Sequence, residues 1–182
     1  MGELARFILS VLLLGVVVTA GASFAGWWLA AGRRTERALR KRLGGRADAL
    51  AVAPEAGRGV AVRAELDRLA VVRFRGDPGL LYSLAELRGA ELLVDGEVKA
   101  RVARGESRRP LDRVDAGAGS HIALRVILDD PADPAFELDL WRPDHRVRPG
   151  WTAEDALRDA RAVFARLEAA LQRSPAGIGR DR

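Results

Sequence analysis

The chain has 182 residues, of which 30 are basic and 25 acidic, and it contains no cysteine. The lack of cysteine excludes disulfides, zinc–thiolate sites and a cysteine nucleophile. The net charge of +5 lies in residues 33–42, while residues 43–182 balance with 23 basic and 23 acidic side chains, so no global basic surface for nucleic acid is expected.

An uncharged, apolar run covers residues 7–31 and is predicted to form a transmembrane helix. A helix rises about 1.5 Å per residue, so about 20 apolar residues cross a bilayer core of about 30 Å. Trp27 and Trp28, near the end of the run, are predicted to be interfacial aromatic residues in the headgroup layer. The alternative is a signal peptide cleaved near residues 20–22, which the acidic Glu3 and the continued apolar sequence disfavour.

A basic cluster follows the apolar run directly and is predicted to contact anionic lipid headgroups. Loops rich in Lys and Arg stay on the cytoplasmic side of a membrane. The cluster therefore predicts a single-pass protein of the bacterial inner membrane, with its C-terminal domain in the cytoplasm. The predicted membrane-surface residues are Arg33, Arg34, Arg37, Arg40, Lys41 and Arg42.

Strand patterns and turn residues alternate along most of the remaining chain. Residues 44–59 are rich in Ala, Gly and Pro and are predicted to be a linker. Asp95-Gly96 is predicted to be the central pair of a type I′ hairpin turn. The return strand of that hairpin is predicted to bury one face, made of Val98, Ala100 and Val102. Trp141 falls on the polar side of its strand, where it is either covered by another segment or part of a contact surface.

A C-terminal amphipathic helix is predicted to begin after Thr152. Thr152 is expected to cap it, with Asp155 at the third helical position as the acidic partner. Apolar residues then recur at intervals of three and four, which favours a helix that covers one open face of a sheet. The predicted apolar stripe is Leu157, Ala160, Phe164, Leu167 and Leu171.

Residues with the spacing of a known catalytic or metal site are missing from the chain. The two histidines, His121 and His145, have no nucleophile motif beside them. The acidic cluster at residues 129–133 lacks the spacing and glycine of a calcium loop and reads as an ordinary turn. Arginines at 104–109 lie in a long polar loop with interspersed acids. We therefore predict no enzyme activity, no metal and no cofactor.

The order of the elements, several strands in hairpin order followed by a capped helix, resembles the bacterial PH-like fold over residues 60–173. The predicted fold class is α+β: an N-terminal transmembrane helix, then an antiparallel sheet or roll of six or seven strands closed by the C-terminal helix. The predicted segments are a membrane segment at 1–32, a basic helix at 33–43, the linker at 44–59, the PH-like domain at 60–173 and a tail at 174–182.

The resemblance implies a binding or scaffolding module at the membrane surface. The expected partners are membrane lipids and a protein, with no nucleic acid. Small residues at four-residue spacing, such as Gly21 with Ala25, add a homodimer through the N-terminal helix. The alternative function is an exported envelope protein with a periplasmic binding domain.

Overall fold

The computed structural model describes residues 2–106, 117, 120–144 and 151–173; within the first helix, the side chains of 2–5, 7–11 and 21–31 lie outside that description. The helices are α1 (Gly2–Leu43) and α2 (Ala153–Gln172), and short 3-10 turns cover Ala64–Leu66 and Leu84–Glu86. The strands are β1 (Ala49–Ala53), β2 (Arg58–Arg63), β3 (Arg68–Val72), β4 (Leu80–Ser83), β5 (Leu87–Val94), β6 (Glu97–Ala103), β7 (Ile122–Leu128) and β8 (Ala135–Trp141).

The eight strands form two antiparallel four-stranded sheets. The first sheet has the order β1-β2-β3-β4, a simple meander, and the second has the order β6-β5-β7-β8. Because β7 pairs with β5 and not with β6, the second sheet departs from hairpin order. The fold is α+β, but the prediction of one sheet of six or seven strands is wrong. The interval 44–59, predicted to be a linker, contains β1 and the start of β2.

One apolar core lies between the two sheets and α2. Alternate residues of the strands enter it, because successive side chains of a strand point to opposite faces. α2 contacts both sheets and contributes the residues predicted for its apolar stripe, all buried: Leu157, Ala160, Phe164, Leu167 and Leu171. The prediction of a C-terminal helix that covers a sheet is confirmed.

The cap of α2 has the predicted geometry. The Thr152 hydroxyl accepts a hydrogen bond from the Asp155 backbone N–H at 3.2 Å, and the Asp155 carboxylate accepts one from the Thr152 N–H at 3.0 Å. Each of these two bonds satisfies a backbone N–H at the start of the helix. The Asp155 carboxylate also accepts a hydrogen bond from the Thr152 hydroxyl at 3.0 Å. The bond from the Thr152 backbone N–H, followed by the bond from its hydroxyl, holds the pKa of Asp155 below its usual value.

We expect Thr152→Ala to lower the free energy of unfolding by about 1 kcal/mol, the usual cost of losing an N-cap side chain. Urea unfolding followed by circular dichroism measures the change. Thr152→Ser, which keeps the hydroxyl, is the control and should remain close to the wild type. Equal losses for both variants would show that the cap does not act through its hydroxyl.

A β-bulge in β6 explains why one predicted core residue is exposed. The Asp95-Gly96 turn has the predicted left-handed backbone, with φ of 53° and 79°. Beyond it, Leu92 pairs with Ala100 and Leu93 pairs with Val98, so Lys99 is an extra residue in the ladder. Ala100 and Val102 are buried as predicted, but the bulge turns Val98 to the other face, where it is 47% exposed.

The C-terminal part of α1 packs on the outer face of the first sheet. Leu39 and Leu43 are fully buried there against Ala61, Ala70 and Val72. Gly59 permits the close approach, because a Cβ at that position would lie 2.9 Å from Leu39 Cδ1. The first sheet is thus covered on both faces, by α1 outside and by the core inside.

The predicted transmembrane helix is contradicted by the structure. Over the residues that the structure describes, no helix combines the length and the apolar character that a bilayer span needs. Within the predicted run, the described side chains are those of 12–20, which are all exposed. The predictions of a single-pass topology and of an inner-membrane location with a cytoplasmic domain are corrected accordingly.

The acidic turn between β7 and β8 is fixed to the first sheet. The Tyr82 hydroxyl donates to Asp130 Oδ2 at 3.0 Å, and Arg73 Nη1 lies 3.0 Å from Asp133 Oδ2. The backbone N–H of Ala132, and then the Tyr82 hydroxyl, lower the pKa of Asp130. Burial, followed by the bond to Asp130, raises the pKa of Tyr82.

The Tyr82–Asp130 contact should make stability depend on pH at both ends of the range. Its contribution is present at neutral pH. It is lost in acid, as pH falls through the lowered pKa of Asp130, and in alkali, as pH rises above the usual tyrosine value of about 10 through the raised pKa of Tyr82. Tyr82→Phe should flatten the alkaline loss and weaken the acid loss in urea unfolding. A Tyr82→Phe profile parallel to the wild type would contradict this assignment.

Candidate binding cleft

The turn between β1 and β2, residues 54–57, is the point where three segments of the first half of the chain meet. A Cβ on Gly57 would lie 2.7 Å from Arg75 Cα, so the turn touches the backbone between β3 and β4. Arg75 Nη2 donates to the Glu55 carbonyl at 3.2 Å. On the helix side, a Cβ on Gly32 would lie 3.3 Å from Pro54 Cβ. These contacts hold the turn in place from two directions.

A cleft of about 350 Å³ separates this turn from the end of β8. β1 and β8 are edge strands of different sheets and lie close to each other, and the cleft is at one end of this seam. Its volume lies at the lower end of the range for ligand pockets, about 300–1,000 Å³. The lining is mainly apolar, with three charged residues: Ala53, Pro54, Glu55, Ala56, Asp139, Leu140, Trp141 and Arg142.

A second bulge directs Trp141 toward the core side of β8. Ile122 pairs with Trp141 whereas Ala123 pairs with Asp139, so Leu140 is the extra residue in the ladder. Trp141 is therefore half-buried and packs edge-on against Trp151, with ring centroids 6.1 Å apart and planes at 70°. Trp141 is therefore partly covered, which is one of the two outcomes considered for it, and it also lines the cleft; a contact surface there stays a prediction.

Two buried side-chain nitrogens in the described part of the chain have no hydrogen-bond acceptor there, Trp141 Nε1 and Arg58 Nε. The Arg58 guanidinium lies over the Phe136 ring, 4.9 Å from its centroid, and gains a cation–π contact. No acceptor or ring contact of this kind is found for the Trp141 indole N–H among the described residues. A buried donor without an acceptor costs about 1–3 kcal/mol.

Two of the three charged residues at the cleft, Asp139 and Arg142, form an ion pair with each other. Asp139 Oδ1 lies 2.7 Å from His121 Nε2, and Asp139 Oδ2 accepts a hydrogen bond from Arg142 Nη2 at 2.8 Å. Asp139 and His121 are each 30% exposed. Glu55 also has an interaction partner. Among the described residues, the cleft therefore presents a mainly apolar lining with an ion pair at one side.

The His121–Asp139 pair could orient an imidazole for catalysis, as in a triad. Among the described residues, the His121 ring has no hydrogen bond to a serine or threonine, and the backbone N–H of His121 donates to Asp95 Oδ1 at 2.7 Å. No group of three or more potential metal ligands occurs within the described ranges. His145, the other histidine considered as a catalytic candidate, lies outside the described ranges.

The predicted membrane-surface residues lie in the C-terminal part of α1 and are exposed: Arg33, Arg34, Arg37, Arg40, Lys41 and Arg42. Two of them have partners within the chain. Arg40 Nη2 pairs with Glu36 at 2.5 Å, and Arg42 Nε donates to the Pro78 carbonyl at 2.7 Å. None of the six lines the cleft. The side chains of Trp27 and Trp28 lie outside the described residues, as do those of the small residues predicted for a homodimer.

Arg104, from the loop predicted as a solvated basic segment, has a structural role. Its guanidinium donates to the carbonyls of Leu84 and Leu87, at 2.8 Å and 3.1 Å, and so closes the 3-10 turn before β5. Arg108 and Arg109 lie outside the described residues. The guanidinium of Arg104 therefore donates to backbone carbonyls of its own chain.

No known protein family, curated protein or solved structure matches this chain. The resemblance to the bacterial PH-like fold therefore stays a prediction. The functional assignment depends on the geometry of the chain itself.

The sequence pointed to Trp141, but it did not predict the pairing of Asp139 with His121 or the position of residues 53–56 at the cleft. His121 and Asp139 are 18 positions apart and meet only because β7 pairs with β8. The sequence pattern indicated a hairpin of β7 and β8. Aligning the two strands in that hairpin would have placed the side chains of His121 and Asp139 near each other. The approach of residues 53–56 to β8 had no local signal, because the seam joins strands of different sheets.

Proposed function

We propose that this chain is a binding module for a protein partner, and that the cleft at Trp141 is the recognition site. The partner inserts an apolar side chain between the β1–β2 turn and the end of β8. A neighbouring carbonyl of the partner accepts a hydrogen bond from the Trp141 indole N–H. The observation that carries the proposal is Trp141 itself, which lines a mainly apolar cleft and whose buried indole N–H has no acceptor among the described residues.

The chemistry of the cleft favours a peptide segment over a charged metabolite. Asp139 and Arg142 already bind each other, so a charged ligand would have to compete with an existing pair. Apolar contact with Trp141, Leu140 and Pro54 would instead recover the hydrophobic free energy of about 25 cal/mol per Å² buried. Tryptophan is also common among the residues that dominate binding energy at protein interfaces.

This proposal retains the binding module expected from the sequence and assigns no catalytic role to it. The membrane anchor and the membrane location are not part of it. The prediction of no enzyme activity stays a prediction, as does the absence of nucleic-acid partners.

Site-specific photo-crosslinking in cells tests the proposal. A crosslinking amino acid replaces Ala56, which is exposed and lines the cleft, in the full-length chain. Ala165, exposed on α2, is the matched control. We expect a protein captured from position 56 and not from position 165. Its binding, measured with purified components, should weaken about 10-fold or more on Trp141→Phe, which removes only the N–H donor and part of the ring.

Two results would contradict the proposal. The first is the same set of captured proteins from both positions, which would indicate random surface collisions. The second is unchanged affinity of the identified protein for the Trp141→Phe and Trp141→Leu variants. Thermal unfolding of each variant establishes that any loss of binding occurs in a folded protein.

A further inference from the structure

The outer face of the second sheet has one charged residue from each of its four strands, side by side. Glu91 of β5 lies between two core residues and so points away from the core. Glu91 pairs with Arg101 of β6 and with Arg125 of β7, and Arg125 pairs with Glu137 of β8. Directly opposite residues share one face of a sheet. The row, here called the charge ladder, therefore reads Arg101, Glu91, Arg125 and Glu137 in strand order, and its charges alternate in sign.

The centre of the charge ladder is neutralised within the chain. Arg125 Nη1 lies 2.7 Å from Glu91 Oε2, and Arg125 Nη2 lies 2.8 Å from Glu137 Oε2. The Glu91 side chain is only 9% exposed, and a buried carboxylate without such a partner would be strongly destabilising. A molecule that covers this face therefore buries a centre whose charges are already paired.

The two ends of the charge ladder have unused capacity for ion pairs. Arg101 approaches the carboxylates of Glu91 and Glu106 only to 3.8 Å, which is longer than a hydrogen bond. Glu137 contacts Arg125 through Oε2, and no donor to its Oε1 occurs among the described residues. The side chains of Arg101 and Glu137 are 48% and 41% exposed. One end thus offers a guanidinium and the other end a carboxylate oxygen.

We propose that this face binds the same face of a second copy of the chain in a two-fold symmetric dimer. A two-fold axis parallel to the strands, between β5 and β7, exchanges β6 with β8 and β5 with β7. Arg101 then faces Glu137 of the partner subunit, and Glu91 faces Arg125 of the partner subunit. Each contact occurs twice, as in every isologous interface.

The alternating charges select this arrangement over the other symmetric one. A two-fold axis along the row, perpendicular to the strands, would place each arginine opposite the same arginine of the second copy. Like charges that face each other across an interface are strongly disfavoured. The axis parallel to the strands also keeps the strand directions of the two sheets aligned, which is a common way for sheets to pack face to face.

A row of small and apolar residues lies beside the charge ladder on the same face. Its members are Ala103, Gly89, Ile127 and Ala135, each two positions from a residue of the ladder. The proposed axis places Gly89 opposite Ile127 of the partner subunit, so the bulkiest side chain of the row meets the residue without one. Close approach along this row adds burial of apolar surface to the ion pairs at the ends.

Charge reversal at the two ends of the ladder tests the proposal in the full-length chain. Arg101→Glu places acidic residues opposite each other at both ends of the dimer, and Glu137→Arg places basic residues there. Sedimentation velocity over a range of concentrations measures the dimer dissociation constant. We expect each variant to raise this constant about 10-fold or more, since the symmetry applies each substitution twice. Arg166→Glu, on the exposed side of α2, is the control and should change it less than about 2-fold.

A mixture of the two variants separates the proposed interface from other contacts. A copy with Arg101→Glu has acidic residues at both ends of the ladder, and a copy with Glu137→Arg has basic residues at both ends. The two copies complement each other, so the mixture should form a heterodimer with a dissociation constant close to that of the wild type. Each chain keeps its own intrachain contacts in the mixture, so the recovery cannot come from improved folding. Thermal unfolding of each variant establishes that it is folded.

Recovery of association in the mixture supports the proposal. A wild type that stays monomeric over the whole concentration range would overturn it. A dimer that the charge reversals leave unchanged, as one held through α1 would be, would overturn it as well. The same holds for a mixture that associates no better than the separate variants, because the losses would then not arise from facing charges. None of these results bears on the cleft at Trp141, since no residue of the charge ladder lines it.

Discussion

Replacing Leu167 by alanine is expected to lower the free energy of unfolding by about 2–5 kcal/mol. Leu167 is fully buried in the face of α2 that packs between the two sheets. The substitution removes apolar contacts and leaves a cavity that the surrounding strands fill only in part. Since a domain has about 5–15 kcal/mol of stability in total, this single change threatens the fold. Urea unfolding of the purified protein gives the value.

The neighbouring residue provides the control for this experiment. Arg166 is exposed on the same helix, and Arg166→Ala should change stability by less than about 0.5 kcal/mol. A small effect of Leu167→Ala, comparable to that of Arg166→Ala, would mean that α2 does not hold the sheets together.

Replacing Gly57 by alanine should cost about 2–5 kcal/mol, through two effects that add. Gly57 has φ of +63°, a left-handed conformation that costs a residue with a side chain about 1–2 kcal/mol. The new Cβ would also lie 2.7 Å from Arg75 Cα and 2.8 Å from Arg75 N. Those are backbone atoms, so the β1–β2 turn has to move, and overpacking of this kind typically costs about 1–3 kcal/mol.

Gly76→Ala separates the two effects. Gly76 has φ of +89°, and a Cβ there meets nothing within 4 Å, so only the backbone conformation is penalised. We expect Gly76→Ala to destabilise the protein clearly less than Gly57→Ala in parallel urea unfolding. Equal losses for the two variants would contradict the close contact between the β1–β2 turn and Arg75.

The Gly57 variant also links stability to function. The turn that it displaces carries Pro54, Glu55 and Ala56, which line the cleft. Crosslinking from position 56 should therefore fall in Gly57→Ala under conditions where the protein is still folded.

Local patterns predicted local structure well in this chain. The Thr152 cap, the stripe of α2 and the Asp95-Gly96 turn depend on residues close in sequence, and the structure has each of them. α1 ends at Leu43, the predicted end of the basic helix, and the Gly45 N–H donates to the Arg40 carbonyl at 3.0 Å there.

The predictions were wrong where the secondary structure or the buried face of a residue depends on contacts with residues far away in sequence. β1 is rich in alanine and has weak strand propensity by itself, and it forms because it pairs with β2 along its whole length. The bulges at Lys99 and Leu140 shift the faces of Val98 and Trp141, and a strict alternation of two cannot reveal such an insertion. The cleft lies between segments far apart in sequence, residues 53–56 and 139–142, so composition and periodicity could not indicate it.

The contact of Trp141 with a partner is tested most directly by the proton resonance of its indole N–H. The resonance is assigned by its loss in Trp141→Phe and followed while the partner protein captured from position 56 is added. Formation of the proposed hydrogen bond predicts a downfield shift of this resonance that saturates with the measured affinity. A Trp141 resonance that does not move at saturating partner would contradict the account of the cleft as the recognition site.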